Sequence, residues 1–262
     1  MNCTVIKIGG KLVENPELLG RLCDRLVKVS PPFIVVHGGG TLAGELCRLL
    51  DIPEQMVGGR RVTDEETLRV AVMTYAGWVN KTVVSALQHR GINACGLSGC
   101  DMQVVTARKR PRTDRDWGYV GDIEAVNTAV LTMFLRQGIV PVLSPITYGI
   151  HGAVLNTNAD SVASAVAEAM AKGGLVDLVF CMDKRGVMKD IGDEDSLISH
   201  LNREQYEQYK QEGVIHSGML PKLENAFTSI ARGVRSVRLV HPDELDDVGA
   251  GTTVALGGRV ES

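Results

Sequence analysis

Thr4-Val-Ile-Lys-Ile-Gly-Gly-Lys11 decides the reading of this chain: a β-branched apolar run holds one lysine and closes on a glycine pair. Val5, Ile6 and Ile8 predict a buried strand, and Gly9-Gly10 marks where it stops and the backbone turns. A lysine set into such a strand must be solvated, paired or facing something negative, because burying its charge alone is very costly. Exposed N–H groups just beyond it point to an anion such as phosphate; extension to solvent is the ordinary alternative. What else converges on Lys7 therefore determines what the protein can do.

Outward from this run, strand and helix signals alternate. Pro16 to Val29 carries Leu18, Leu19, Leu22 and Leu26 at helical spacing, and Phe33–Val36 predicts a second short buried strand. His37-Gly-Gly-Gly40 then leads into a helix from Thr41 to Leu50, so this second glycine turn has N–H groups aimed by a helix N-terminus. Thr63-Asp-Glu-Glu66 reads as a capping box that opens a long helix to about His89, with Leu68, Val72, Tyr75, Val79, Val83 and Leu87 as its apolar positions. Such length exceeds the usual ~11–12 residues and suggests a subunit contact in addition to the helix's own core.

Further strands are expected over 94–97, 103–107, 118–123, 139–144, 176–182 and 237–240, with a short one after Gly249-Ala-Gly-Thr252. Helices are expected over 128–137 behind Asn127, through the alanine-rich stretch after Asn156-Thr-Asn-Ala-Asp160, behind Asn202-x-x-Gln205, and over 219–232. Repeated strand–helix units predict an α/β fold with a mainly parallel sheet covered on both faces. Ligands bind such sheets at the C-terminal strand ends, where both glycine turns fall. Lys172-Gly-Gly174 is the candidate boundary between an N-terminal lobe (1–172) and a C-terminal lobe (173–262).

Composition removes several classes. The 262 residues, 44% hydrophobic and 23% charged, can bury a large core. A net charge of −3 gives no electrostatic case for nucleic acid or an anionic membrane as partner. The basic run Arg108-Lys-Arg-Pro-Arg-Thr-Asp-Arg115 reads as a solvated loop. Six cysteines without CxxC spacing or paired histidines read as small buried hydrophobes in a reducing compartment. Neither a signal-peptide pattern nor ~18 consecutive apolar residues is present, so the expected location is cytoplasmic.

Three phosphate or dinucleotide signatures fail: there is no GxxxxGK[ST], no GxGxxG after a strand, and no HRDxxxxN with DFG. What remains is a less usual anion site of two glycine turns, lysines and a carboxylate. Asp160, at a helix start, is either a helix cap or a fixed negative charge that holds ammonium groups in place. Lys222 falls on the first turn of a helix, where the macrodipole disfavours a cation, so a ligand is a better reason for it. Arg61 can clamp a carboxylate bidentately or form a surface ion pair.

Lys7-Ile-Gly-Gly10, Val36-His-Gly-Gly-Gly40, Gly59-Arg-Arg-Val-Thr63, Leu155-Asn-Thr-Asn-Ala-Asp160, Met182-Asp-Lys-Arg-Gly-Val187 and Ser217-Gly-Met-Leu-Pro-Lys222 resemble, in order and spacing, the acetylglutamate kinases of the amino-acid kinase family. The likeness runs from Lys7 to about Thr253. Asn156, Asn158 and Asp160, combined with Arg-Val-Thr, set it apart from the aspartate, carbamate, uridylate and glutamate 5-kinases. The resemblance implies a three-layer αβα sandwich and ATP-dependent phosphorylation of the γ-carboxylate of N-acetyl-L-glutamate, in arginine biosynthesis.

It further implies that Lys7 and Lys222 stabilise the transferring phosphoryl group and that Asp160 organises both. Gly39, Gly40, Arg61, Asn156 and Asn158 would hold the amino-acid substrate. Gly9, Gly10, Asp183, Gly186, Val187, Met188, Val214, Ile215, His216, Ser217 and Met219 would contact the nucleotide, with Mg²⁺ bridging its phosphates. Lys184-Arg185 and the stretch Gly99-Cys-Asp-Met102 depart from the family's usual residues. Arginine-inhibited members carry an extra N-terminal helix that builds a hexamer; the first strand here starts almost at once, so a homodimer without arginine feedback is expected. Other readings are the same reaction on N-succinyl-L-glutamate or another N-acylglutamate, a silent ligand sensor of the same fold, and, more remotely, a nicotinamide oxidoreductase.

Overall fold

The protein, a computed structural model describing residues 1–29, 32–57, 60–112, 115–190, 192–215 and 219–256, begins with β1 (Cys3–Ile8), α1 (Gly10–Glu14), α2 (Pro16–Leu26), β2 (Phe33–His37) and α3 (Leu42–Leu49). A ribbon of β3 (Met56–Val57) and β4 (Arg60–Arg61) leads into one long helical run. It comprises α4 (Glu65–Ala71), a π-helical segment (Val72–Val79) and α5 (Asn80–Gln88). Next come β5 (Ala94–Leu97), β6 (Val105–Lys109), β7 (Gly121–Val126), α6 (Thr128–Arg136), β8 (Val140–Leu143), β9 (Ile146–Gly149), β10 (Val154–Asn156) and α7 (Ala159–Ala171). Beyond them lie β11 (Val176–Cys181), β12 (His200–Asn202), α8 (Arg203–Gln211), α9 (Leu220–Ala231), β13 (Ser236–Val240) and β14 (Thr252–Ala255).

Among the described residues, eight strands form one sheet in the order β12-β14-β13-β11-β1-β2-β8-β5. All neighbours run parallel except β13 and β14. The opening run sits at the centre, with Lys7 opposite Phe180 on one side and Val36 on the other. That position explains its composition: Val5, Ile6 and Ile8 are fully buried. Alternation sends Cys3 and Val5 into the layer of α6, α7, α8 and α9, and Ile6 and Ile8 into the layer of α1, α2 and α5. The result is the expected αβα sandwich. Lys7 shares the Val5 face and so meets α7 and α9. Strand order reverses beside β1, because the chain first builds β2, β8 and β5 on one side and later β11 and β13 on the other.

A second sheet, β10-β9-β6-β7, carries the β6–β7 hairpin, tied down by bridges between Thr63 and Gly118 and between Val120 and Asn156. Both hairpin strands begin two to three residues later than the alternation predicts, after a 3-10 turn at Asp101–Gln103.

Several local expectations change. The long helix is capped by Asp64, whose carboxylate accepts from Thr67 N at 2.8 Å, and Thr63 is buried outside the helix. A capping box there fails because Thr63 is claimed by the Gly118 bridge. A helical turn, α1, starts directly at Gly10, where only a turn is expected. In α7 the cap is Asn158, accepting from Ser161 N at 3.0 Å, which leaves Asp160 inside the first turn with its carboxylate free for other partners. The caps at Asn127 and at Asn202–Gln205 form as expected. Lys172–Gly174 falls in the link from α7 to β11, and the eight-stranded sheet continues across it.

Candidate active site

Three elements converge at the end of β1. Lys7 rises from the strand, Asp160 from the first turn of α7, and Lys222 from the first turn of α9. Asp160 gives each lysine one oxygen: Lys7 Nζ lies 2.8 Å from Oδ1, and Lys222 Nζ donates to Oδ2 at 2.6 Å. The side chains are 12%, 21% and 16% exposed for Lys7, Asp160 and Lys222, so the cluster is shielded yet reachable. Burial pushes the Asp160 carboxyl up, but the two ammonium groups outweigh it and hold the pKa at about 2. Burial lowers the pKa of Lys222, Asp160 works against that, and Lys7 adds to it. Lys222 Nζ also stands 5.1 Å above the Phe180 ring. Two ammonium groups against one carboxylate leave the cluster net positive, which suits an anion.

The two glycine turns touch each other beside this cluster. A Cβ on Gly10 would lie 1.9 Å from Gly40 N, and one on Gly39 would lie 1.8 Å from the Tyr75 ring, so neither position has room for a side chain. The N-terminus of α3 is not available to a ligand, contrary to expectation. Glu14 occupies it, accepting from Thr41 N at 2.5 Å and Leu42 N at 2.9 Å. Gly38 N donates to Ile8 O at 2.9 Å. The N–H groups of Gly39 and Gly40 make no hydrogen bond among the described residues, so donors for an anion come from the turn itself.

A cavity of about 1470 Å³ opens onto these groups. Lys7, Asp160, Gly10, Gly39, Gly40, Arg61, Asn156 and Asn158 all line it. The Arg61 guanidinium is nearly buried and lies 2.7 Å from Glu54 Oε1. Asn156 donates to Thr63 Oγ1 at 3.0 Å, and Thr63 donates to Arg61 O at 2.9 Å, which joins the two candidate substrate contacts through one hydroxyl. Arg110, from the basic run read as a solvated loop, instead lines the cavity and forms an ion pair with Asp122.

Gly10 lines the cavity, whereas the other described residues expected to contact the nucleotide do not. Gly9 links β1 to α1, and Asp183 is exposed after β11. Gly186, Val187, Met188 and Ile215 are buried, while Val214 and Met219 are half-buried; none of these lines the cavity. His216, Ser217 and Gly218, together with Gly58 and Gly59, lie outside the described residues. Among the described residues no group of three or more His, Cys, Asp or Glu side chains is placed to hold a metal ion. All six cysteines are free.

Four residues at the site were not singled out from the sequence: Glu14, Glu54, Tyr75 in its contact with Gly39, and His37. Only His37 carried a signal, as a polar residue ending an otherwise apolar buried strand.

The profile of the amino acid kinase family matches residues 2–241. The acetylglutamate kinase of Phocaeicola vulgatus is 44% identical over 251 residues, covering 96% of this chain and 97% of the relative. That of Bacteroides thetaiotaomicron is 45% identical over 244 residues, covering 93% and 95%. The crystal structure of smu.665 from Streptococcus mutans UA159 superposes with a TM-score of 0.79 at 27% identity, covering 97% of this chain and 99% of that one. Likeness of this extent, over nearly the whole length of each relative, leaves one assignment: the chain belongs to the amino acid kinase family, in its acetylglutamate kinase branch.

Proposed function

We propose that the protein transfers the terminal phosphoryl group of ATP to the γ-carboxylate of N-acetyl-L-glutamate, giving an acyl phosphate within arginine biosynthesis. The observation that carries this reading is the Asp160 carboxylate, which lines a cavity together with Lys7, Gly39, Gly40, Arg61 and Asn156 and pairs with Lys7 and, just behind that lining, with Lys222. A carboxylate is already a nucleophile at neutral pH, so the site needs no general base. Its task is to align two anions and neutralise charge on the transferring group, which two lysines and turn N–H groups can do.

In this reading Lys7 and Lys222 flank the phosphoryl group, and Asp160 fixes their spacing. Arg61, Asn156 and Asn158 hold the amino-acid part on the side of residues 1–172. Residues 173–262, through Gly186–Met188, Val214–Ser217 and Met219, hold the nucleotide, with Gly9, Gly10 and Asp183 at its phosphates. Both Asp160 oxygens are engaged by lysines. Asp160 is thus not free to hold a metal, and Mg²⁺ would arrive bound to ATP and supply further charge neutralisation. Trp78 and Met73, 70% and 54% exposed on the long helical run, favour a homodimer through that run. No helix among the described residues is long and apolar enough to cross a membrane, and we place the enzyme in the cytoplasm, where ATP is available.

Incubation with ATP, Mg²⁺ and N-acetyl-L-glutamate in the presence of hydroxylamine tests the reaction. ATP-dependent acyl hydroxamate is expected, and the succinyl analogue run in parallel reads acyl preference. ADP release without hydroxamate, or neither product, would remove the proposal.

A further inference from the structure

His37 ends β2, fully buried, immediately below the substrate-side glycine turn. Its Nδ1 lies 3.0 Å from Gly38 O, and its Nε2 lies 3.1 Å from Asn80 Nδ2. The same Asn80 nitrogen is 2.9 Å from Val142 O, while Asn80 Oδ1 accepts from Lys81 Nζ at 3.1 Å. A carbonyl can only accept and an ammonium can only donate, so the Asn80 amide has one orientation, with its nitrogen toward the ring. Nε2 must then be the acceptor, and the proton of a neutral ring sits on Nδ1, facing Gly38 O. Burial drives the His37 pKa down to about 4; the Gly38 carbonyl opposes this, and Lys7 and Lys81 reinforce it.

The backbone turns this tautomer into a direction. In a planar trans peptide the C=O and the following N–H point opposite ways. A Gly38 carbonyl drawn inward to the ring therefore sends the Gly39 N–H outward, toward the cavity that Gly39 lines. The π-helical segment supplies the other half of the arrangement. In an α-helix, residues five apart are displaced by about 140° around the axis. Hydrogen bonding to the fifth residue brings such positions onto nearly one face, so Tyr75 can pack on Gly39 while Asn80 reaches His37. A Cβ on Gly96 would sit 1.9 Å from Asn80 Oδ1, so β5 leaves the space that Asn80 needs.

We infer that His37 is a positioning residue for phosphoryl transfer: its Nδ1–H pins the Gly38 carbonyl inward so that the Gly39 N–H is held as a fixed donor to the bound anionic substrate, and Asn80 enforces the tautomer. This rests on the proposed kinase reaction and adds a residue to it. The Gly39 donor is aimed before substrate arrives, which spares reorganisation when charge shifts.

Long-range ¹H–¹⁵N correlation spectra of the ¹⁵N-labelled protein test the tautomer without reference to activity. A neutral Nδ1–H ring at neutral pH is expected, in a signal absent from His37→Asn. A neutral Nε2–H ring or an imidazolium would overturn the inference. Kinetics test the role. The Asn amide nitrogen can stand in for Nδ1–H, whereas the Gln amide reaches the Nε2 position. His37→Gln should lose at least about tenfold in kcat/KM for the acylglutamate with KM for ATP little changed, and His37→Asn should recover most of that loss. Equal losses in both variants at matched thermal stability would reduce His37 to a packing role. Wild-type protein without hydroxamate formation would strike the kinase reading, and the spectra would still decide the tautomer.

Discussion

Asp160 takes one lysine from a strand and one from a helix start, and its acidity follows from that pairing. Its folded pKa, about 2, lies below the ordinary ~3.9 of an aspartate in an unfolded chain. The sign of the linkage is therefore fixed: the stabilisation is present above about pH 4 and is lost as pH falls toward 2. Asp160→Asn should melt below the wild type at pH 7, because it leaves two lysines facing each other, and the gap should close between pH 4 and pH 2. A melting difference that stays constant over that window would show that the pairing seen here does not govern Asp160. The lysines were legible in the sequence as charges in costly places, Lys7 within a buried strand and Lys222 against a helix dipole. Glu54 and Glu14 were not, because each acts on a partner that only folding brings near: Arg61 for the first, the start of α3 for the second.

The long helical run and the glycine turn behave as a single unit. Tyr75 lies where a Gly39 side chain would go, and Asn80 holds the turn through His37. Gly39→Ala should therefore cost about 1–3 kcal/mol as overpacking against a ring that cannot withdraw. In a double-mutant cycle with Tyr75→Ala, itself destabilising because the ring is buried, Gly39→Ala should cost less than it does beside the intact ring, measured by urea unfolding, while turnover stays low; equal cost of Gly39→Ala in both backgrounds would contradict the contact. Sequence periodicity found the helix but not its π segment, since apolar positions four apart suit either geometry within a few turns. Thr63 misled for a related reason. A threonine before Asp-Glu-Glu has the chemistry of a cap, yet a bridge to Gly118, fifty-five residues on, removes it from the helix. Where a contact was local, as in the Asn202–Gln205 box, the sequence sufficed.

At the level of the whole molecule, the central place of β1 and the reversal of strand order beside it put the lysine cluster where an open α/β sheet offers a crevice. That much follows from alternating strand and helix signals, and so does the mainly parallel sheet. The meeting of Asp160 on α7 with Lys222 on α9, sixty-two residues apart, depends on a packing contact that spacing does not encode. The exposed Trp78 carries the prediction on assembly. Light scattering coupled to gel filtration should report twice the 28.2 kDa chain mass for the wild type and a shift toward monomer for Trp78→Glu; a wild-type monomer, or a variant that remains dimeric, would move the contact away from this helix. The most direct test of phosphoryl transfer at the Lys7–Asp160–Lys222 cluster is steady-state hydroxamate formation by Lys7→Ala and Lys222→Ala at saturating ATP and N-acetyl-L-glutamate. Loss of at least ~10² in kcat is expected for each, the range for removing one donor to developing charge. Near-wild-type turnover in either folded variant would contradict it.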